Sequence, residues 1–555
     1  MFIRTSRSGG HTYLRLVESY RDDDGKVRHR QIAQLGRVDQ FGEDQAERLI
    51  RSIRQVTGRQ LPEPGTPEFE VARELGGPWV LTELWRSLGM DNVLKRIFRS
   101  SRRTVDIESL LRIMVFNRLC DPDSKLGVIR WLETIVMPGV DTDSINHQQL
   151  LRAMDALDEA FEQFRQGMGR LLRPLIDQEL SVVFYDLTTI RIHGEGDVKD
   201  DIRKYGLSKE LKGPARQCML GIIQTADGLP LDFEVFPGNT AEVKTLLPML
   251  KRSLDNHPVK RVVLVADRGL LSLDNVAELE SLCLESGHSP EYILAVPAGR
   301  YKEFQSTIAH LSFDESKESI RETQMNGRRL VVAHSPSMAA TQKQRRDDQL
   351  NELIQLGDRL ADKLDSQDAG KTERGRRASD RGAFVRFSRA VQEAHFTRFI
   401  RAELQADGFA FEVNQAAICK AESLDGKLIL LTNVPDMSAD EIVSRYKALA
   451  DIERGFRVLK SEIEIAPVYH RLPKRIRAHA GICFMALLLH RVMRMRLKDS
   501  TLGITPERAL SRLKQVQYHS VMLNEQRLTG ITKLESEQLK LFEALGIEKP
   551  TAQHL

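Results

Sequence analysis

Three acidic residues stand at positions suited to shared metal chemistry. Asp186 closes the short apolar run Ser181-Val182-Val183-Phe184-Tyr185, and Asp267 closes a second, Arg261-Val262-Val263-Leu264-Val265-Ala266. Glu453 lies in a helical stretch with Tyr446 before it and Lys460 after it, each seven residues from the next. Seven residues are close to two α-helical turns at about 3.6 per turn, so the three share one stripe. Singly, each acid has an ordinary reading: a strand-end Asp as a cap or turn residue, and Glu453 with Arg457 as an i,i+4 ion pair worth about 0.2–0.5 kcal/mol. Together, three carboxylates make an oxygen cage. Such cages select hard cations such as Mg²⁺, which takes oxygen ligands at about 2.0–2.1 Å and keeps waters for a substrate's phosphate oxygens. Two ions about 3.5–4 Å apart activate the attacking oxygen and neutralise the departing one in an in-line phosphoryl displacement. Softer-metal sites are not indicated. His470 and His479 lack ligand spacing to another His or Cys and read as surface or core residues, and the five dispersed cysteines, without a CxxC pair, argue against a disulfide framework or a structural zinc.

The elements that must hold these acids follow from the pattern. At 555 residues, roughly 150 per domain gives three or four units, and 41% hydrophobic with 29% charged residues is ordinary globular usage. A net charge of +4 decides little. A local excess of Lys and Arg between Arg471 and Ser500 suits a polyanion, and it equally suits a helix with a solvated basic face. The first ten residues lack the apolar stretch of a secretory signal, and the ten-residue apolar run at Ala480–Leu489 is half a bilayer span, so a cytoplasmic protein without membrane contact is expected. Alternating residues around Asp22-Asp23-Asp24-Gly25 predict a hairpin over 1–38, and spacings of three and four predict a helical region over 39–178 whose Lys95, Arg96, Arg99, Arg102 and Arg103 favour DNA. From 179 the order reads strand (to Asp186), strand (Ala215–Thr225), turn at Asp227-Gly228, strand (Leu229–Phe236), helix, strand (to Asp267), helix, strand (Tyr292–Val296). Helical crossovers between strands predict an α/β sheet covered by helices. Residues 300–437 break the pattern and read as an inserted subdomain, with a charged amphipathic helix in Gln342–Asp380 and strands in Phe384–Thr432. A Ser438-x-x-Glu441 capping box starts one helix to about Glu464, and another covers Ile476–Leu497. The stretch 438–498 returns to the sheet, and 499–555 reads as helical.

The motif Tyr446-x2-Leu449-x3-Glu453-x6-Lys460 resembles the Y-x2-R-x3-E-x6-K signature of DDE transposases from bacterial insertion sequences, with Leu449 where that signature has Arg. Tyr185-Asp186-Leu187-Thr188-Thr189, Phe236-Pro237-Gly238-Asn239-Thr240 and Ala266-Asp267-Arg268-Gly269 are similar to the family as well. The resemblance spans about Val182 to Leu489. It implies a ribonuclease-H-like mixed sheet flanked by helices, built from 179–299 plus 438–498, in which the first and fourth strands lie side by side and bring Asp186 to Asp267. It also implies a β-rich insertion before the glutamate. The gap from Asp267 to Glu453, more than twice that from Asp186 to Asp267, leaves room for one.

By the same resemblance Asp186, Asp267 and Glu453 are the catalytic, metal-binding acids, holding two Mg²⁺ ions with Mn²⁺ as a substitute. Tyr446 and Lys460 are DNA-phosphate contacts, and Arg457, on the face of Glu453, is the candidate to replace the missing arginine. The implied activity is cleavage and strand transfer at the terminal inverted repeats of the element, on double-stranded DNA ends and target DNA, by a homodimer on paired ends. A ribonuclease-H-like nuclease without strand transfer would carry the same triad. A noncatalytic DNA-binding protein is the alternative from another class.

Overall fold

The computed structural model describes residues 1–58, 66–99, 105–176, 181–194, 200–207, 214–256, 261–266, 273–281, 289–308, 310–371, 378–405, 408–523 and 526–551. They divide into two compact units. The smaller holds residues 1–72 and 518–530. Its strands β1 (Phe2–Ser8), β2 (His11–Arg21) and β3 (Val27–Arg37) form an antiparallel sheet, so the expected hairpin gains a third strand at the N-terminus. The β2–β3 turn uses Gly25 at φ +76°, with its N–H donating to the Asp22 carbonyl at 2.9 Å. Helix α1 (Glu43–Val56) follows, then β4 (Glu68–Glu74), which pairs with a hairpin from late in the chain.

The larger unit opens with the expected helices: α2 (Gly76–Ser87), α3 (Met90–Phe98), α4 (Ile107–Cys120), α5 (Lys125–Leu132), α6 (His147–Glu159) and α7 (Phe161–Leu172). The sheet begins with β5 (Ser181–Arg191), β6 (Lys204–Leu207), β7 (Pro214–Thr225) and β8 (Pro230–Pro237). Gly228, at φ +77°, supplies the expected turn between β7 and β8. Arg165 of α7 ties the helices to the sheet by donating to the Phe233 carbonyl at 2.7 Å and to Glu234 at 2.9 Å. Then come α8 (Leu246–Asn256), β9 (Val262–Ala266), α9 (Leu273–Ser281) and β10 (Glu291–Ala295). β7 pairs antiparallel with β5, β6 and β8, while β5, β9 and β10 run parallel to one another, giving the order β8-β7-β5-β9-β10 with the short β6 also on β7. β9 and β10 are almost wholly buried, as apolar runs covered on both faces must be.

After α10 (Tyr301–Ile308), β11 (Ser319–Met325) and β12 (Arg328–His334) form a hairpin. A lobe follows: α11 (Pro336–Asp368), α12 (Asp380–Glu393), the hairpin β13 (Ile400–Gln405) with β14 (Gly408–Val413), and α13 (Gln415–Glu422). The chain then returns as β15 (Lys427–Thr432), which lies between β10 and β12, antiparallel to both. Two expectations change here. The stretch 300–437 is more helix than strand, because its long charged segment forms the 33-residue α11. Three of its five strands extend the central sheet, to nine strands in all. The lobe has its own apolar centre, including Leu353, Phe387, Val391, Phe399 and Ile418. Its ends meet: the Ser335 N–H donates to the Gly426 carbonyl at 3.0 Å, and His334 pairs with Lys427.

The expected helix from Ser438 is two, α14 (Ala439–Lys447) and α15 (Leu449–Ser461), separated at Ala448. No proline, glycine or capping side chain marks the junction; the chain breaks where Leu449 packs into the sheet's apolar cluster, a tertiary effect that periodicity does not register. Next comes α16 (Pro473–Lys498), long and apolar enough to cross a membrane by length and composition, yet with 94% of its most apolar window buried in the protein. It is a core helix packed against α4, α6 and β8. Three of its basic residues are paired or buried, while Lys498 is exposed. Arg475 donates to Asp155 at 2.9 and 3.0 Å, Arg477 to Asp158 at 2.8 and 3.1 Å, and Arg491 is 3% exposed. Past α17 (Pro506–Leu513), the expected helical C-terminus contains the hairpin β16 (Gln517–Leu523) and β17 (Gln526–Ile531), with β16 paired to β4, before α18 (Ser536–Leu545).

Candidate active site

Strand alternation sets the face on which Asp186 sits. Val182 and Phe184 of β5 join Val263 and Val265 of β9, Ile293 of β10, and Ile442, Val443 and Leu449 of the helix pair in one buried cluster. With a side-chain period of two, Asp186 is the next residue on that face. It is half-buried, and the Leu187 N–H donates to its Oδ1 at 2.7 Å. On the opposite face Tyr185 is fully buried over Gly221, and its hydroxyl donates to Thr245 Oγ1 at 2.7 Å. Burial holds this phenol well above its usual range, so it stays protonated and anchors the strand just before the acid.

β5 and β9 pair in parallel with Tyr185 beside Ala266. Asp267, the next residue of β9's run, lies outside the described residues, as does the expected Arg268-Gly269. Glu453 belongs to α15, one turn beyond Leu449, and its side chain is outside what is described. α15 packs on β5. The structure thus brings together β5, β9 and α15, while among the described residues only Asp186 of the three expected acids has its carboxylate in view.

The phosphate-contact candidates are placed unequally. Tyr446, in the last turn of α14, is half-buried against the same cluster. Lys460 is half-buried in the last turn of α15. Arg457 is exposed, with its carbonyl accepting from Ser461 Oγ at 2.6 Å. Leu449 is 7% exposed in an apolar setting, which accounts for a leucine where the signature has arginine: an unpaired guanidinium there would be costly.

Sequence reading missed two supports of α15. Gly455 lets the helix approach Gln224 of β7 and Arg491 of α16 closely. At its C-terminal end Glu462 joins His490 of α16 and Glu507 of α17. Burial alone would lower the His490 pKa, but the hydrogen bonds that both glutamates accept from the ring outweigh it and raise it. Glu507 is held well below the carboxylate range by His490, against the effect of burial, while burial pushes Glu462 up. No spacing rule joins these three residues; only the packing of three helices does. His479 is a core residue, its Nε2 at 3.0 Å from the Ile465 carbonyl. The described cysteines, Cys120, Cys218, Cys419 and Cys483, are free.

A transposase DDE domain matches residues 177–489, more than half of the chain. The chain belongs to the DDE transposases, enzymes that cleave DNA and transfer its strands. Residues 3–65 match the N-terminal domain of IS1634 family transposases, which makes this a transposase of the insertion-sequence type. None of the curated proteins matches. Among solved structures, the cryo-EM structure of a piggyBac transposase synaptic complex with hairpin DNA aligns over 79% of this chain and 79% of that one, at 7% identity and a TM-score of 0.36, a likeness too loose to bear on mechanism.

Proposed function

We propose that Asp186, Asp267 and Glu453 form a single site holding two Mg²⁺ ions, and that this site cuts the terminal inverted repeats of the element and joins them to target DNA. The observation that carries the reading is the parallel pairing of β5 with β9, Tyr185 beside Ala266, with α15 packed on β5. With the four-residue β6 on the edge of β7 set aside, the order β8-β7-β5-β9-β10 is third-second-first-fourth-fifth, and with its parallel and antiparallel senses it supports a ribonuclease-H-like core. An all-carboxylate donor set fits a hard divalent cation, and Asp186 at the end of an apolar face is oriented by the Leu187 N–H. When bound, the ions supply activation of the attacking oxygen and neutralisation of the departing one. The chain's own contribution is positional. Tyr185 and Thr245 pin β5, Gly455 and the His490 triad hold α15, and Lys460, with Tyr446 and Arg457, receives the phosphates of the DNA end as point charge and hydrogen-bond donors.

The remaining assignments are a helical region over 39–178 that grips DNA, an insertion subdomain in 300–437, a homodimer on paired ends, and a cytoplasmic setting. The test is Mg²⁺-dependent cleavage of a duplex carrying the element's end by Asp186→Asn, Asp267→Asn and Glu453→Gln. Each variant is expected to bind the duplex and leave it uncut, and wild-type cleavage by any of them would remove that residue from the site. Joining of the cut end to a plasmid separates strand transfer from plain hydrolysis. Sedimentation of the chain with two end duplexes checks the dimer.

A further inference from the structure

A cavity of about 980 Å³ opens where α5 and the end of α4 face the segment between α15 and α16. Lys125, the first residue of α5, lines it while only 6% exposed. Among the described residues this ammonium has no hydrogen-bond or ion-pair partner, and the strongest charge acting on it is another cation, Arg118. Desolvation first, then Arg118, lowers its pKa to about 7. Arg118 is itself buried, and its guanidinium donates to oxygens without formal charge of their own: the Glu464 carbonyl at 3.4 Å, Asn117 Oδ1 at 3.1 Å and the Asp123 carbonyl. The Asp123 carboxylate accepts from the Ser124 N–H at 2.6 Å and lies 3.5 Å from Arg130. The carboxylates of Glu464, Asp123 and Asp121 act on Arg118 from farther off. Among the described residues neither buried cation is hydrogen-bonded or ion-paired to a carboxylate, and an anion would complete the site. The rim adds exposed Arg471 and a flat aromatic pair, Tyr469 stacked on His193 with ring centroids 5.3 Å apart and planes 14° apart. Aromatic faces beside cations are how proteins take up nucleotides of a strand.

The cavity is distinct from the carboxylate site. Beyond Asp186, β5 runs on to Arg191; the next residue, Ile192, bridges Val468 in the cavity wall, and the His193 N–H donates to the Val468 carbonyl at 2.8 Å. Six residues of extended chain span about 20 Å.

We infer that this cavity takes a phosphate group of a DNA strand, with Lys125 and Arg118 as its counter-charge and Tyr469 on His193 as a stacking surface for the adjoining base. The inference rests on the chain's action on DNA and not on the assignment of the carboxylates, so it stands or falls separately from the cleavage assays above.

The test uses the full chain and two probes, a fluorescein-labelled 30-base-pair duplex and inorganic phosphate. Binding of the duplex is measured across salt concentrations for wild type, Lys125→Met and Arg471→Ala, the last at an exposed position that does not threaten folding. Loss of one phosphate contact lowers the log–log salt slope by about 1 and weakens binding about tenfold near 0.1 M salt, whatever the sequence. That result in both variants, with Lys125→Arg restoring the slope, is expected. Unchanged slopes in both overturn the proposal. If phosphate raises the melting temperature of wild type and not of Lys125→Met while duplex binding is the same, the cavity serves a free phosphate compound, and the DNA assignment is overturned.

Discussion

Gly455 stands two residues after Glu453, where α15 lies close against β7 and α16. A Cβ there would lie 2.9 Å from Gln224 Oε1 and 3.1 Å from Arg491 Nη2. Neither side chain can retreat easily, since Gln224 is 0% and Arg491 3% exposed. Gly455→Ala therefore sets two effects against each other. Alanine is favoured over glycine inside a helix by about 0.8–1.0 kcal/mol. Forcing a methyl into a packed site costs about 1–3 kcal/mol. The balance is a net destabilisation of no more than about 2 kcal/mol, relieved mostly by displacing the helix a few tenths of an ångström. That displacement carries Glu453, proposed above as a metal ligand, and misplacing a reacting group by about 1 Å costs on the order of a hundredfold in rate. The expected outcome is a small drop in the urea-unfolding free energy with a tenfold to hundredfold fall, roughly, in single-turnover cleavage at saturating duplex and Mg²⁺. A variant that is about 1 kcal/mol more stable than wild type, as helix propensity alone dictates, and that cleaves at the wild-type rate would refute the reasoning.

Three further outcomes follow from the packing. His490→Gln removes the group between Glu462 and Glu507 and is expected to cost about 1–3 kcal/mol near pH 6, a modest figure because both carboxylates keep about a third of their surface in water. The raised His490 pKa contributes stability present below its unfolded value and lost as pH rises through its folded one; the depressed Glu507 contributes stability present above its unfolded value and lost as pH falls through its folded one. The wild-type advantage over His490→Gln should therefore be greatest between about pH 4.5 and 6.5, and an advantage that grows from pH 7 to 9 in urea titrations would contradict it. Leu449→Arg restores the signature residue but buries a cation in an apolar cluster, so it should cost at least the roughly 2–5 kcal/mol of losing a core leucine and bring no gain in cleavage; a stable, faster variant would show that this position reaches DNA. Lys125, with its pKa lowered to about 7 against an ordinary 10.5, makes the unfolded chain bind more protons between those values, so stability should rise with pH across that window in wild type and lose this rise in Lys125→Met.

What the sequence disclosed was what neighbours along the chain decide. β5, β7, β8, β9 and β10 were readable because apolar runs and the Asp227-Gly228 turn carry their own signal, and the capping Ser438 marked the start of α14, its Oγ accepting from the Glu441 N–H at 3.2 Å. What distant contacts decide was not readable. The break at Ala448 depends on Leu449 meeting β5 and β9. The neutralised arginines of α16 depend on acids of α6. β16 and β17 have little buried surface and so lack the apolar alternation of a half-buried strand. Of the site, residue types were legible; the stripe through Tyr446, Glu453 and Lys460 was read on one helix, whereas Tyr446 belongs to α14 and the other two to α15. The supports at Gly455 and His490 were not legible, because each is a contact between elements rather than a pattern within one.

The closure of the lobe at Ser335 and Gly426 has a consequence for modularity. Because His334 faces Lys427 across an antiparallel pair, everything from α11 to α13 occupies the place of a hairpin turn. The entropy of closing a loop grows only logarithmically with its length, by about 0.6 kcal/mol per doubling, so a hairpin can carry a self-packed insert of this size at little cost to the sheet. The lobe is in this sense a cassette: a segment that could be exchanged, shortened to a tight turn or replaced by another folding unit between two fixed splice points, with β12 and β15 still meeting in register beneath it.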